Sequence, residues 1–127
     1  MSAPADLKYL QTHEWHRIEG DTATIGITQF AADELTDITF VGFKVKAGDR
    51  IDANSRFGEI ESVKTTSDLY SGVGGTVVAV NDQLASDPGL VNSDPYSKGW
   101  MVKIKLSNPA DAQKLLSAED YLKKTGH

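Results

Sequence analysis

The residues whose types and spacing could do chemistry in this chain are one lysine, a scatter of carboxylates and a pair of nearby histidines. Lys64 stands in EIESVKTTSDLY, residues 59–70, between two stretches of strand character. An unperturbed lysine titrates near about 10.4, so only about a few ten-thousandths of it is free amine at pH 7. Lowering that value takes burial or neighbouring cations. Ser62, Thr65, Thr66 and Ser67 are small and polar, and Glu59, Glu61 and Asp68 favour the ammonium. Lys64 is therefore a poor nucleophile by itself. It is a reachable amine that an enzyme bringing an activated acyl group could acylate, and on these residues alone a plain solvated lysine is the default.

His13, Glu14 and His16 invite a zinc reading, but the zinc-protease pattern needs two histidines four apart on a helix. These are three apart where the chain enters a strand, which points them to opposite faces. The remaining histidine is His127. No metal site is expected on that ligand count. Asp33, Glu34, Asp37, Glu59, Glu61 and Asp68 read as a solvated acidic face rather than an acid–base pair. GVGG, residues 72–75, lacks the following Lys-Ser or Lys-Thr of a phosphate cradle and reads as structural turns.

Composition narrows the field. The length of 127 residues fits a single domain over 1–127, with a core at about 7–106 and a helical tail at 109–125. A formal net charge of −5, with no basic stripe, argues against nucleic-acid binding, because phosphate neutralisation supplies most of that affinity. The chain has no cysteine, so any redox chemistry must use a group it does not encode. MSAPADLKYL has no charged segment followed by an apolar one, and no window approaches the ~20 apolar residues of a membrane span. The expected compartment is the cytoplasm and the expected state a monomer.

The elements that must position these residues are mostly strands. Trp15 to Glu19, a Gly20-Asp21 turn and Thr22 to Ile27 read as a hairpin, with Ala23, Ile25 and Ile27 on one face. Thr22, Thr24, Gly26 and Thr28 make the other face small and polar. TQFAADEL shifts to helical spacing at Phe30, Ala31, Glu34 and Leu35, which predicts a short helix over Gln29 to Leu35 capped by Thr28. DITFVGFKV, RFGEIES, TSDLYS and TVVAV return to strand character. One helical turn is expected near Asp82 to Leu84 inside a long polar connection. Trp100, Val102, Ile104 and Leu106 mark a last strand. Asn108 is a good cap with Pro109 at the first helical position, Ser117 caps a second turn with Asp120 three residues on, and Gly126 ends it. Trp15, Phe30, Phe40, Phe57, Tyr70 and Trp100 read as core or rim.

ESVKTTSDLYSGVGGTV resembles the lipoyl-attachment hairpin of the glycine cleavage system H-protein family, written E-S-V-K-A-x-S-D before a Pro-x-Ser-Gly turn. LKYLQTHEW is similar to that family's K-Y-x-x-x-H-E-W, GDTATIGIT to its second strand, ELTDITFV to L-G-D-I-V-F-V, and VNSDPYSKGWMVKIKLSNPA to N-x-D-P-Y-x-x-G-W. The matches run in order from about Leu7 to Tyr121.

The resemblance implies a mostly β barrel-sandwich hybrid of two small antiparallel sheets, with a short inserted helix and C-terminal helices. It implies a non-catalytic carrier with lipoate in amide linkage to Lys64, flanked by Glu61, Ser62, Val63, Ser67 and Asp68, and installed by a lipoate ligase or octanoyl/lipoyl transferase. The arm would take an aminomethyl group from a pyridoxal-phosphate glycine decarboxylase. It would present that group to a tetrahydrofolate-dependent aminomethyltransferase and be reoxidised by a dihydrolipoyl dehydrogenase. Glu14 and Glu34 would line the groove that shelters the arm, with Glu14 placed to hold its amine. Three alternatives are an H-like paralogue that relays lipoyl groups to other enzymes, a biotin carrier, whose flanking methionines Val63 and Thr65 do not match, and a stand-alone enzyme using Glu14 and Asp68, which would require turnover by unmodified protein. Five departures stand out. Glu34 replaces a frequent His, Thr36 a Gly, Gly42 an acid and Asn54 a turn Gly, and Gly72 with Gly74-Gly75 replaces Pro and Ser-Gly.

Overall fold

The computed structural model describes residues 4–125. Nine strands and five short helices follow in the order β1 (Lys8–Tyr9), β2 (Glu14–Glu19), β3 (Thr22–Ile27), α1 (Gln29–Leu35), β4 (Ile38–Phe43), β5 (Arg50–Ile51), β6 (Ser55–Ser62), β7 (Thr66–Ser71), β8 (Gly75–Val80), α2 (Gln83–Ser86), α3 (Leu90–Ser93), β9 (Val102–Leu106), α4 (Ala110–Gln113) and α5 (Ala118–Lys124). They form a six-stranded sheet, β1-β2-β3-β9-β8-β5, and a three-stranded sheet, β4-β6-β7. All pairings are antiparallel. The two sheets of the expected hybrid are present, but they remain separate and close no barrel.

The period-2 alternation does what it should. Ala23, Ile25 and Ile27 of β3 pack in one core with Val102 and Ile104 of β9, Phe57 and Ile60 of β6, and Leu69 of β7. The opposite face of β3 is not left to water as its small residues suggest. Trp15 pairs with Gly26 and lays its ring so close that a Cβ on Gly26 would sit 2.7 Å from it. Trp15 joins Leu7, Tyr9 and Tyr121 in a second buried cluster.

Helix α1 starts where predicted. Thr28 Oγ1 accepts from Ala31 N at 3.2 Å and satisfies one of the orphan amides of the first turn. The helix stops at Thr36, whose φ of 61° and ψ of −143° lie in a region almost reserved for glycine. A β-branched residue there stores strain. Thr36→Gly is expected to raise stability by about 1 kcal/mol, the relief being partly offset by the larger entropy of a glycine in the unfolded chain. Urea denaturation at neutral pH checks it. Asn54 also keeps a positive φ, 66°, which an asparagine tolerates.

Several boundaries differ from expectation. The last strand begins at Val102, because Trp100 N is tied to Ser97 O and Met101 N to Ile25 O. Met101 is consequently buried and Trp100 only half-buried. The long connection holds a second helical turn, α3, beside the expected first. The tail is two helices, because Leu116 exchanges both backbone hydrogen bonds with Tyr9 and so covers the edge of β1. Helix α4 begins one residue later than expected, at Ala110, although Asn108 Oδ1 still accepts from its N–H at 3.1 Å. Ser117 caps α5 through Asp120 N at 3.1 Å. Gly126 lies outside the described residues.

Candidate functional site

Strands β6 and β7 pair from Ser55↔Ser71 to Glu61↔Thr66 and project Lys64 at their crest. No glycine is needed for the turn. Ser62 N donates to Thr65 O at 2.8 Å, and Ser62 Oγ accepts from the amides of Lys64 and Thr65, both at 3.2 Å. A serine side chain thus does locally what backbone freedom would otherwise do. Val63 N donates to Asp37 O at 3.1 Å, which ties the crest to the turn after α1, while the Val63 side chain is 68% exposed.

The exposed Lys64 ammonium donates to the carbonyl of Glu34 at 3.1 Å. The last carbonyls of a helix lack intrahelical partners and favour a cation. Glu34 is also on the rim of a cavity of about 160 Å³. Ile27, Phe30, Ala31, Leu35, Ile60 and Leu69 give it apolar walls; Thr12, His13, Glu14, Ser67 and Asp68 complete it. The helical face read from TQFAADEL, namely Phe30, Ala31, Glu34 and Leu35, is one wall.

Glu14 is only 1% exposed. Tyr70 N donates to its Oε2 at 2.9 Å and Thr12 Oγ1 donates to its Oε1. Burial pushes its carboxyl up to about 7, with the donors from Thr12 and Tyr70 pulling the other way. Near neutrality it is thus divided between acid and carboxylate, a state suited to pairing with an amine. His16, two residues on and on the same face of β2, is fully buried. Its Nε2 accepts from Gly72 N at 3.0 Å, while its Nδ1 has no hydrogen-bond partner. Burial pulls the imidazole down to about 3, and the Glu14 backbone offsets this only in part. Glu14 and His16 therefore accept two alternate amides, Tyr70 and Gly72, along one edge of β7 and its continuation.

These two groups act oppositely on stability. His16 is held neutral in the fold, so the unfolded chain binds the extra proton below about pH 6.5 and stability falls as the pH drops. Glu14 has a raised folded pKa, so its contribution is complete below about pH 4.5 and is lost as the pH rises through about 7. Between pH 4.5 and 6.5 the two slopes oppose each other, each bounded by about 1.4 kcal/mol per pH unit for one proton. Below that window the His16 slope stands alone. Urea midpoints measured from pH 3.5 to 8 are expected to show a plateau and then an acid decline. Glu14→Gln should gain on the native protein as the pH rises from 4.5 to 7, and His16→Gln should flatten the acid limb.

Of the residues singled out from sequence, Glu14, Glu34, Ser67 and Asp68 meet at the cavity. Ser62 and Val63 shape the crest instead, and Glu61 pairs with Phe40 and Thr66 in the three-stranded sheet. Asp68 is also paired with Arg56 at 3.0 Å. The face parity of the histidines does not hold, because His13 precedes β2 with a φ of 83°. His16 turns onto Gly72 and His13 onto the cavity wall. At Gly42, the missing acid leaves room for the Phe40 ring, 2.7 Å from where a Cβ would stand. Phe40 and Gly42 are two apart in β4 and so share a face, across which the ring folds.

Two separate antiparallel sheets carry a lysine at a hairpin crest, its ammonium on the carbonyl of Glu34, a residue that also lines a cavity with Glu14 and Asp68. The family model described as glycine cleavage H-protein matches residues 7–127. The glycine cleavage system H protein of Opitutus terrae is 55% identical, over 98% of each chain. That of Nitratidesulfovibrio vulgaris strain Miyazaki F is 56% identical over 95% of this chain and 93% of its own. The crystal structure of a glycine cleavage system H protein from Mycobacterium marinum superposes with a TM-score of 0.89 at 34% identity, covering 98% of this chain and 100% of that one. The chain belongs to the glycine cleavage H-protein family, whose members are non-catalytic carrier components of a multienzyme system. No helix among the described residues is long and apolar enough to cross a membrane.

Proposed function

We propose that this chain, as a single carrier domain, bears lipoate as an amide on Lys64 and shuttles the aminomethyl group of glycine. The observation that carries the reading is the position of the Lys64 ammonium, 3.1 Å from the Glu34 carbonyl at the rim of the cavity. The residues fit such an arm. Phe30, Leu35, Ile60 and Leu69 suit a hydrocarbon chain and its sulfur-bearing ring, and the buried Glu14 suits an amine at its end. When bound, lipoate supplies the disulfide that the cysteine-free chain lacks, a carrier for the one-carbon unit and its electrons.

The chain's own part is positional. Ser62 sets the crest that a lipoate ligase or octanoyl/lipoyl transferase must reach. Acylation removes the charge that binds the Lys64 side chain to the Glu34 carbonyl, which frees that side chain from the helix end, while Val63 N still holds the crest to Asp37 O. Glu14 and Glu34 then face the loaded cavity, and its apolar walls exclude water from the amine. The partners of this reading are the pyridoxal-phosphate decarboxylase, the tetrahydrofolate-dependent aminomethyltransferase and the flavin dihydrolipoyl dehydrogenase. Intact mass after incubation with a lipoate ligase, ATP and lipoate tests it. One lipoyl addition on the peptide holding Lys64 is expected, and no addition would refute the proposal.

A further inference from the structure

We infer that Tyr121, on the C-terminal helix α5, is a positioning residue of the cavity: its hydroxyl relays a hydrogen bond from Thr28 to His13, fixes the proton of the neutral imidazole on Nε2, and joins two elements of the wall. The functional half of this inference rests on the proposed shelter for an aminomethyl cargo; the structural half does not.

The geometry is specific. Tyr121 is 1% exposed and its ring stacks on Tyr9, with centroids 4.7 Å apart and planes at 14°. That stack leaves the hydroxyl little choice of place. It lies 2.7 Å from His13 Nδ1 and 2.9 Å from Thr28 Oγ1. His13 belongs to the β1–β2 turn and Thr28 caps α1, and the cavity is lined by residues of both elements. The tail helix therefore reaches into the site from a part of the chain 108 residues beyond His13.

The direction of the relay follows from donor counting. Thr28 Oγ1 already accepts from Ala31 N and is buried. Its own hydroxyl proton needs an acceptor, and among the described residues the partner in range is the Tyr121 oxygen. Thr28 thus donates to Tyr121, and the one proton of Tyr121 goes to His13 Nδ1. A ring nitrogen that accepts carries no proton, so the neutral imidazole bears it on Nε2. His13 stands at a φ of 83°, a setting in which histidine is enriched among non-glycine residues, with His13 N bonded to Leu10 O at 3.1 Å and His13 O accepting from Thr28 N at 2.9 Å.

The consequence is that His13 offers the cavity no basic nitrogen: Nδ1 is engaged and Nε2 is protonated. Loss of an aminomethyl group from sulfur consumes water and yields thiol, formaldehyde and ammonium, and it needs the lone pair of the amine. His13 thus adds no base to the wall, and Glu14, which also lines it, suits the ammonium form of that amine.

The test uses Tyr121→Phe, which keeps the stack on Tyr9 and removes only the hydroxyl, with Thr28→Ser as the conservative control. Nitrogen-resolved NMR of histidine-labelled unmodified protein reads the His13 tautomer. Protein lipoylated at Lys64 and loaded from glycine by the decarboxylase is then freed of enzyme, and formaldehyde release is timed. Expected are an Nε2–H tautomer in the native protein and Thr28→Ser, a mixture of tautomers in Tyr121→Phe, and release about fivefold faster in Tyr121→Phe, the factor carried by one net hydrogen bond. An Nδ1–H tautomer in the native protein, or an unchanged tautomer in Tyr121→Phe, overturns the relay. A changed tautomer with unchanged release overturns its link to the shelter. Native protein that releases cargo as fast as urea-unfolded loaded protein overturns the shelter itself, while the tautomer result stands separately.

Discussion

Lys64→Arg protein is expected to fold like the native chain, to gain no lipoyl mass, and to leave glycine–bicarbonate exchange by the decarboxylase at the level seen with no carrier added. The substitution keeps the charge, the length and a donor for the Glu34 carbonyl, so the crest has no reason to move. Lys64 is exposed, and the turn is held by Ser62 rather than by the lysine side chain. What changes is the chemistry of the nitrogen. A guanidinium stays protonated and delocalised at any pH a ligase uses and gives no stable amide. Denaturant midpoints within about 0.5 kcal/mol of native would establish that the loss is chemical rather than structural. A lipoyl addition retained in the arginine variant would move the arm to another lysine and undo the assignment.

The largest effect on the fold is expected at Gly75. A Cβ there would fall inside the van der Waals sphere of the Lys105 carbonyl oxygen and crowd the Ile104 side chain, at the Gly75↔Leu106 end of the β8–β9 pairing. Neither neighbour can yield cheaply. Gly75 pairs with Leu106, and the adjacent Gly74 N is held by Asp111 Oδ2 at 3.1 Å, so the segment is fixed from both sides. Gly75→Ala should cost more than about 4 kcal/mol, an exceptional loss against the ~5–15 kcal/mol a domain has to lose. Gly20→Ala is the comparison. Its site has a φ of +63° but open space around it, so it should cost only about 1 kcal/mol. Urea curves for the two, side by side, separate collision from backbone preference.

Much of this was legible in the sequence because local chemistry and tertiary demand agree there. The β2–β3 hairpin, the Thr28-capped helix and the Lys64 crest are each specified by a few neighbouring residues. The family resemblance, not the spacing of residues, singled out Glu14 and Glu34. The illegible parts depend on contacts distant in the chain. Met101 is inside because its amide reaches Ile25 O, and the residue before the Ser117 cap, Leu116, pairs with Tyr9. Tyr121 gave no sign of serving the cavity, since its partners are more than ninety residues away. His16 read as one half of a failed metal pattern, whereas its work is to accept a backbone amide.

That last arrangement bears on a property of the molecule in a crowded solution. The outward amides of a strand such as β7 are a template on which a second copy could polymerise. Here Glu14 and His16 fill two of those positions with side chains from the same molecule. The border of the sheet is thereby closed at those two positions to pairing with its own kind.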